Sequence, residues 1–211
     1  MQLTSHNFEE GQRIPGEFAF AVIDPANHIA LSQNRNPHLA WRDVPAGTQS
    51  FVIICHDPDV PSRPDDVNQE GRVVAADLPR VDFFHWVLID IPPETHEIAA
   101  STHSDGVTPR GKPASDVVGG GRHGVNDYTA WFAGDEQMRG TYHGYDGPCP
   151  PWNDALVHRY IFTVYALAGS RLRIEGQLDG RGVRAALAKA EVLGQASLTG
   201  LYTLNPNRAI A

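Results

Sequence analysis

A few side chains in this chain have both the chemistry and the spacing to build a polar site. His158 and Tyr160 stand two residues apart at the start of Leu156–Leu167, a run rich in β-branched and aromatic residues. Such a run reads as a strand near the middle of a sheet. Strand side chains alternate between faces, so His158, Tyr160, Phe162, Val164 and Ala166 share one face, opposite Arg159, Ile161, Thr163, Tyr165 and Leu167. An imidazole and a phenol thus sit side by side at one end of an otherwise apolar face. Just upstream, Gly147-Pro148-Cys149-Pro150-Pro151 is a rigid loop suited to walling a small cavity above them. Asp57 and Asp59 lie where a second apolar run ends, and His85 lies near the start of a third. A carboxylate beside an imidazole favours its protonated form and fixes its orientation. Asp57 with His158 could also work as an acid–base pair, and His85, His158 and a carboxylate could hold a metal. Each residue alone has a plain explanation, since strand-end aspartates cap turns and a lone strand histidine is usually a satisfied core residue. Three strand ends carrying such groups are harder to dismiss.

The elements that must position them follow from the apolar pattern. Phe51-Val52-Ile53-Ile54-Cys55 is apolar at consecutive positions, which predicts a core strand covered on both faces. Proline lacks an amide donor, so pairing is expected to stop at His56-Asp57-Pro58-Asp59-Val60-Pro61, leaving both aspartates at the strand's exit. From Phe83 to Ile91 a period of two places His85, Val87, Ile89 and Ile91 on one face and Phe84, Trp86, Leu88 and Asp90 on the other. Upstream, residues 14–21 enter a short edge strand, Leu39 and Trp41 share a face, and Val73-Val74 forms a brief strand within a polar insert. Residues 182–194 form the one convincing helix, with Val183, Leu187 and Ala190 at helical spacing before Gly194, and Ser197 to Leu204 close the sheet. Residues 94–157 show little regular pattern, yet Tyr128, Trp131, Phe132, Tyr142 and Tyr145 anchor them, so they are expected to be packed.

Composition narrows the function classes. With 211 residues and 41% apolar content, a single domain spanning 1–211 is expected. The balance of 17 basic against 25 acidic side chains gives a net charge of −8, which repels nucleic acid and anionic membranes. No basic stretch followed by an apolar run opens the chain and no segment is long enough to span a bilayer, so a cytoplasmic protein without integral membrane association is expected. Cys55 and Cys149 are then two reduced thiols. Of ten histidines, His6, His28, His38, His96, His103, His123 and His143 lie in polar or turn-rich stretches and are assigned to the surface. Gly119-Gly120-Gly121-Arg122-His123-Gly124 has the spacing of a dinucleotide fingerprint, but no helical pattern follows it, so it reads as a loop. His96-Glu97 lacks a second zincin histidine, and no Gly-x-Ser-x-Gly elbow occurs. With no activated nucleophile in view, neither an enzyme nor a cofactor is expected.

Taken together and in order, Asp57-Pro58-Asp59-Val60-Pro61, His85-Trp86, Gly147 to Pro151 and His158-Arg159-Tyr160 resemble the phosphatidylethanolamine-binding protein family, most closely its bacterial Raf-kinase-inhibitor-like branch. Ile14-Pro15 with Phe18, and Asn36 to Trp41 leading to Val44-Pro45-Ala46-Gly47-Thr48, match that family's early motifs. The resemblance runs from about residue 12 to the closing strand. It implies a mainly β, Greek-key fold of packed antiparallel sheets with a small anion pocket at one end, taking phosphate or a phosphoryl headgroup. By position the implied pocket residues are Asp57, His85, Gly147, Pro148, Pro150, His158 and Tyr160, with Asp59 nearby. The 62–82 and 104–146 inserts are longer than in short members and flank the expected rim. Two protonated histidines and a tyrosine hydroxyl would supply charge-assisted donors to a phosphoryl oxygen, with Asp57 as orienting partner. The resemblance also implies a protein partner, a kinase or protease, and a homodimer.

Overall fold

The computed structural model describes residues 1–114 and 117–210, so the 104–146 insert is described except at positions 115 and 116. In chain order the strands are β1 (Gln2–Thr4), β2 (Ala21–Asp24), β3 (His28–Leu31), β4 (Leu39–Arg42), β5 (Ser50–Pro61), β6 (Arg80–Ile91), β7 (Glu97–Ile98) and β8 (Arg122–His123). Helix α1 (Tyr128–Trp131), β9 (His158–Leu167), helix α2 (Gly180–Leu187) and β10 (Val192–Tyr202) complete the order. The main sheet is antiparallel in the order β10-β9-β5-β6-β8, beside a small β1-β4-β7 sheet and the β2-β3 hairpin. The architecture is the expected mainly β one, with two short helices where the sequence predicts one.

β5 occupies the sheet centre because it can be covered on both faces. Phe51, Ile53 and Cys55 enter a large core with Leu39, Trp41, Trp86, Phe162 and Val164. Val52 and Ile54 enter a second core with Val87, Ile89, Leu187 and Val183, the last two from α2. Neighbouring β9 keeps its predicted alternation, with Tyr160, Phe162, Val164 and Ala166 all in the large core.

Several expectations are corrected. Pairing does not stop at Pro58: Asp57 still faces Phe83 and Val60 faces Val81, with a register shift between them. A bulge lets a proline sit unpaired without ending the ladder. Instead of an edge strand over 14–21, Gly16–Phe18 forms a 3-10 turn before β2. The helix begins earlier and ends sooner than 182–194. The Asp179 carboxylate caps it by accepting from the Gly182 amide at 2.8 Å. Val192 and Gly194 join β10 because pairing with β9 outweighs their helical pattern. Val74 makes only an isolated bridge, to Asp154. In the 94–157 segment Tyr128, Tyr142 and Tyr145 are buried as expected, but Trp131 is 54% exposed. His38, His103 and His123 are buried rather than at the surface. Gly119, Gly120 and Gly121 all take left-handed φ, and a Cβ on Gly121 would lie 2.7 Å from the Ile89 carbonyl. Short strand β8, not a helix, follows them directly.

Candidate functional site

At one end of the main sheet a cavity of about 330 Å³ is lined by Asp57 from β5, His85 from β6 and His158 and Tyr160 from β9. Tyr128 and Trp131 of α1 and Cys149, Pro150 and Pro151 of the proline loop enclose it, and Phe83, Val60 to Pro64, Val67 and Asn68 form the rest of its wall. Of the sequence-predicted residues, Asp57, His85, Pro150, His158 and Tyr160 are brought together. Asp59, Gly147 and Pro148 are not among the lining residues.

His85 reaches the cavity through a break in strand alternation. Cys55 pairs with Trp86, but the next pair is His56 with Phe84, so His85 is the extra residue of a β-bulge. The predicted face pattern is therefore wrong at this point. Trp86, Leu88 and Ile91 enter the large core, while Phe84, Val87 and Ile89 pack under α2. His85 turns to the side of Trp86, where its ring meets Tyr160 edge-on at 5.1 Å between centroids. Bulges commonly re-aim a side chain beside a site in this way. The ring is then clasped by one residue of the proline loop's approach: Nδ1 lies 2.7 Å from the Asp146 carbonyl, and the Asp146 amide donates to the His85 carbonyl at 3.0 Å. Burial, opposed by the Asp57 charge, holds the His85 imidazole below its ordinary value.

His158 is fully buried and has no free ring nitrogen. Its Nδ1 is 2.7 Å from Asp57 Oδ2 and its Nε2 is 3.1 Å from Asp154 Oδ2. Asp154 is in turn gripped by Arg80 through two bonds of 2.6 and 3.0 Å. Burial alone would lower this imidazole, but Asp57 and Asp154 together raise it to about 9. The result is a buried row of alternating charge, Arg80, Asp154, His158 and Asp57, in which each charge has an opposite neighbour. His158 lines the cavity, but both of its N–H groups are taken by carboxylates, so neither is free for a ligand in this structure. Its part is to hold a positive charge behind Asp57. The remaining oxygen of Asp57 accepts from the Asp59 amide at 2.7 Å.

Tyr160 supplies the open donor. The side chain is 1% exposed, and its hydroxyl makes no close hydrogen bond among the described residues, although the Asp57 carboxylate lies beside it. Burial and then the neighbouring Asp57 charge keep the phenol protonated, well above its usual range. A buried unsatisfied hydroxyl costs about 1–3 kcal/mol unless something binds it. Asp59 works behind the wall, in a two-pronged pair with Arg159 at 2.9 and 2.7 Å.

Gly147 and Pro148 brace the lip from behind. A Cβ on Gly147 would fall 2.2 Å from the Phe18 carbonyl, so only glycine fits. The Gly147 carbonyl accepts from the Tyr128 hydroxyl at 2.6 Å, and that of Pro148 from the Phe20 amide at 2.9 Å. Sequence reasoning missed Asp146, whose carboxylate is held by Asn34, Asn126 and Lys112, and also Asp154 and Arg80. Asp154 stands four residues before His158 and offered a local hint; Arg80, distant in sequence, offered none. Among the described residues no group of three or more His, Cys, Asp or Glu side chains is arranged to hold a metal.

Comparison with known proteins places the chain in a family. Residues 4–203 match the family profile described as Phosphatidylethanolamine-binding protein. The UPF0098 protein YbhB of Escherichia coli strain K12 is 31% identical over 210 residues, covering 96% of this chain and all of that one. A UPF0098 protein of Aquifex aeolicus is 29% identical over 202 residues, covering 96% and 88%. Among solved structures, E. coli YbcL, described as a new member of the mammalian PEBP family, superposes with a TM-score of 0.64 at 22% identity over 96% of this chain and 97% of that one. A putative homologue from Chlamydia trachomatis, CT736, gives 0.60 at 24% identity, covering 95% of each. These two share the fold. The match across nearly the whole length means that this chain belongs to the phosphatidylethanolamine-binding protein family.

Proposed function

We propose that this chain is a non-enzymatic binding protein whose cavity accepts phosphate or the phosphoryl group of a small ligand. The observation that carries the reading is the pairing of a buried, unpartnered Tyr160 hydroxyl with His85 Nε2, which also has no partner among the described residues, in one cavity of about 330 Å³. Polar groups left unpaired at the end of an apolar-walled cavity are what a small polar ligand would satisfy. The His158 charge, screened by Asp57 and fixed by Asp154, supports the reading by removing the repulsion a bare carboxylate would exert on an anion. A family named for a phosphoryl headgroup lends further support.

The rival hydrolase reading loses its acid–base pair, because His158 has no ring nitrogen free to exchange a proton with a substrate. No observation at the cavity favours an inhibitor of a kinase or protease over a small-anion binder. Titration of inorganic phosphate into isotopically labelled protein tests the anion reading. The His85 and Tyr160 ring resonances are expected to move together and saturably, while those of His103 and His123 stay in place. Saturable binding that leaves His85 and Tyr160 unmoved would place the anion elsewhere and end this proposal.

A further inference from the structure

The hydrogen bond that orients His85 also decides what its cavity-facing atom offers. The Asp146 carbonyl can only accept, so His85 Nδ1 carries the ring proton and, in the neutral imidazole, Nε2 presents a lone pair. The tautomer is held firmly. Asp146 is bonded through its amide to the His85 carbonyl, and its carboxylate is fixed by Asn34 and Asn126, each at 2.7 Å, and by Lys112 at 3.0 Å.

The groups packed against the ring leave few alternatives. From β9, His158 is charged but both of its N–H groups are taken, and Tyr160 offers a free hydroxyl. From β5, Asp57 accepts from His158 and from the Asp59 amide. From α1, the Tyr128 hydroxyl is committed to the Gly147 carbonyl, and Asp127, just before α1, pairs with Arg181. Cys149 of the lip is a thiol that burial pushes up to about 12, so it stays neutral. At its buried end the cavity therefore faces a ligand with one donor, Tyr160, and one acceptor, His85 Nε2; Ser62, Asn68 and Arg63 stand on the outer wall, where Arg63 is 68% exposed and lies 3.7 Å from Asp65. An anion that brings only lone pairs meets a lone pair at His85.

We propose that the cavity takes its anion together with one proton, shared between His85 Nε2 and a ligand oxygen, and so selects phosphate monoesters over phosphate diesters and sulfate near neutral pH. This deepens the anion-binding reading and rests on it. A phosphate monoester has its second ionisation near pH 6 and can carry the proton itself. A diester or sulfate is fully ionised and must recruit the proton from solvent onto the ring. No bond to phosphorus changes; the proton comes from the ligand's own hydroxyl or from water, and returns on release. Burial, which disfavours the charged ring, makes the second route the more costly one.

Calorimetric titration of the wild-type protein with methyl phosphate, dimethyl phosphate and sulfate, from pH 5 to 8 in buffers of differing ionisation heat, reads both affinity and proton uptake. Methyl phosphate is expected to bind with uptake of close to one proton at pH 7.5. Its affinity should rise by up to about tenfold per pH unit down to about pH 6 and then level off. Dimethyl phosphate and sulfate should bind at least about tenfold more weakly at pH 7 and keep gaining below pH 6. In His85→Gln, whose amide neither takes up a proton nor excludes a lone pair, the three anions should converge and uptake should vanish. Equal affinities for all three in the wild type, or binding without proton uptake, would overturn the inference while leaving the anion reading intact. Failure of all three to bind would overturn both. Should His85→Gln not fold, the wild-type series decides the matter alone.

Discussion

Two pairs of histidines are buried in this protein, and one of the four, His158, is raised where the other three are lowered. His158, beside His85 at the cavity, has a carboxylate on each ring nitrogen and is raised to about 9 despite complete burial. His103 and His123 instead face each other, with Nδ1 of the first 2.9 Å from Nε2 of the second. Burial lowers His103 to about 4, against a small opposing effect of the Val118 carbonyl. Burial, then the neighbouring His103, Lys112 and His143, lowers His123 to about 3. Burial acts alike on both pairs, so the neighbours decide. Carboxylates contributed by β5 and by the approach to β9 make a cation of one histidine, and among the described residues no carboxylate bonds the other pair, which stays a neutral packing unit. His85 is intermediate: burial lowers it, Asp57 opposes that, and its ring lines the cavity, so the proposal assigns it the response to a ligand.

The contrast can be broken experimentally. The largest effect should come from acid acting on the neutral pair. Their folded values lie below that of an unfolded histidine, so the unfolded chain takes up protons first. The stability they contribute is complete above pH 6.5 and is lost as pH falls toward 4. Two protons give a slope of up to about 2.7 kcal/mol per pH unit. Denaturant unfolding at half-unit pH steps should show that limb, and His123→Asn should roughly halve it; a level curve from 6.5 to 4.5 would contradict the assignment. Next, Asp154→Asn should cost on the order of 3–4 kcal/mol, because it strands His158 and Arg80 without their shared partner. A loss under about 1 kcal/mol would mean that the row of charges does not hold His158.

A smaller change is expected on the alkaline side. The folded value of His158 lies above the unfolded one, so its contribution is complete below pH 6.5 and disappears as pH rises through about 9. The total is of order 3 kcal/mol, since each pH unit between the unfolded and folded values is worth about 1.4 kcal/mol. Following the His158 ring by NMR from pH 6 to 10 checks it, since a midpoint near 6.5 would put this histidine in the same class as an exposed one. Smallest in stability is Tyr160→Phe. Removing an unpartnered buried hydroxyl should leave stability unchanged or raise it by up to about 1 kcal/mol, while phosphate binding weakens by about tenfold. Loss of stability with unchanged binding would reverse the roles of strain and site.

Much of the framework was legible along the chain because hydrophobic periodicity is a local property. The strand at 158–167, the face shared by His158 and Tyr160, the core strand from Phe51 and the proline loop above the cavity all follow from side chains within a few residues of one another. The order of short motifs around Asp57, His85, Gly147 and His158 sufficed for the family. Alternation failed where a bulge intervened. No residue near His85 announces that Cys55 and His56 will pair with Trp86 and Phe84 and leave it over, so its direction depended on register between two strands.

Charge state was further out of reach. The immediate neighbours of His158 and His103 separate a strand position from a polar stretch but not a cation from a neutral ring. What separates them is Asp57, 101 residues from His158, and Arg80, 74 residues from the Asp154 it holds. Composition and spacing by themselves determined a mainly β chain with polar side chains at several strand ends, and the resemblance carried by the ordered motifs implied packed antiparallel sheets with a pocket at one end. Only the tertiary structure decided which imidazole is a cation, which is a lone-pair acceptor and which pair is inert. The physical reason is that a buried group's ionisation is set by desolvation and by charges a few ångströms away, and those charges arrive from distant parts of the chain.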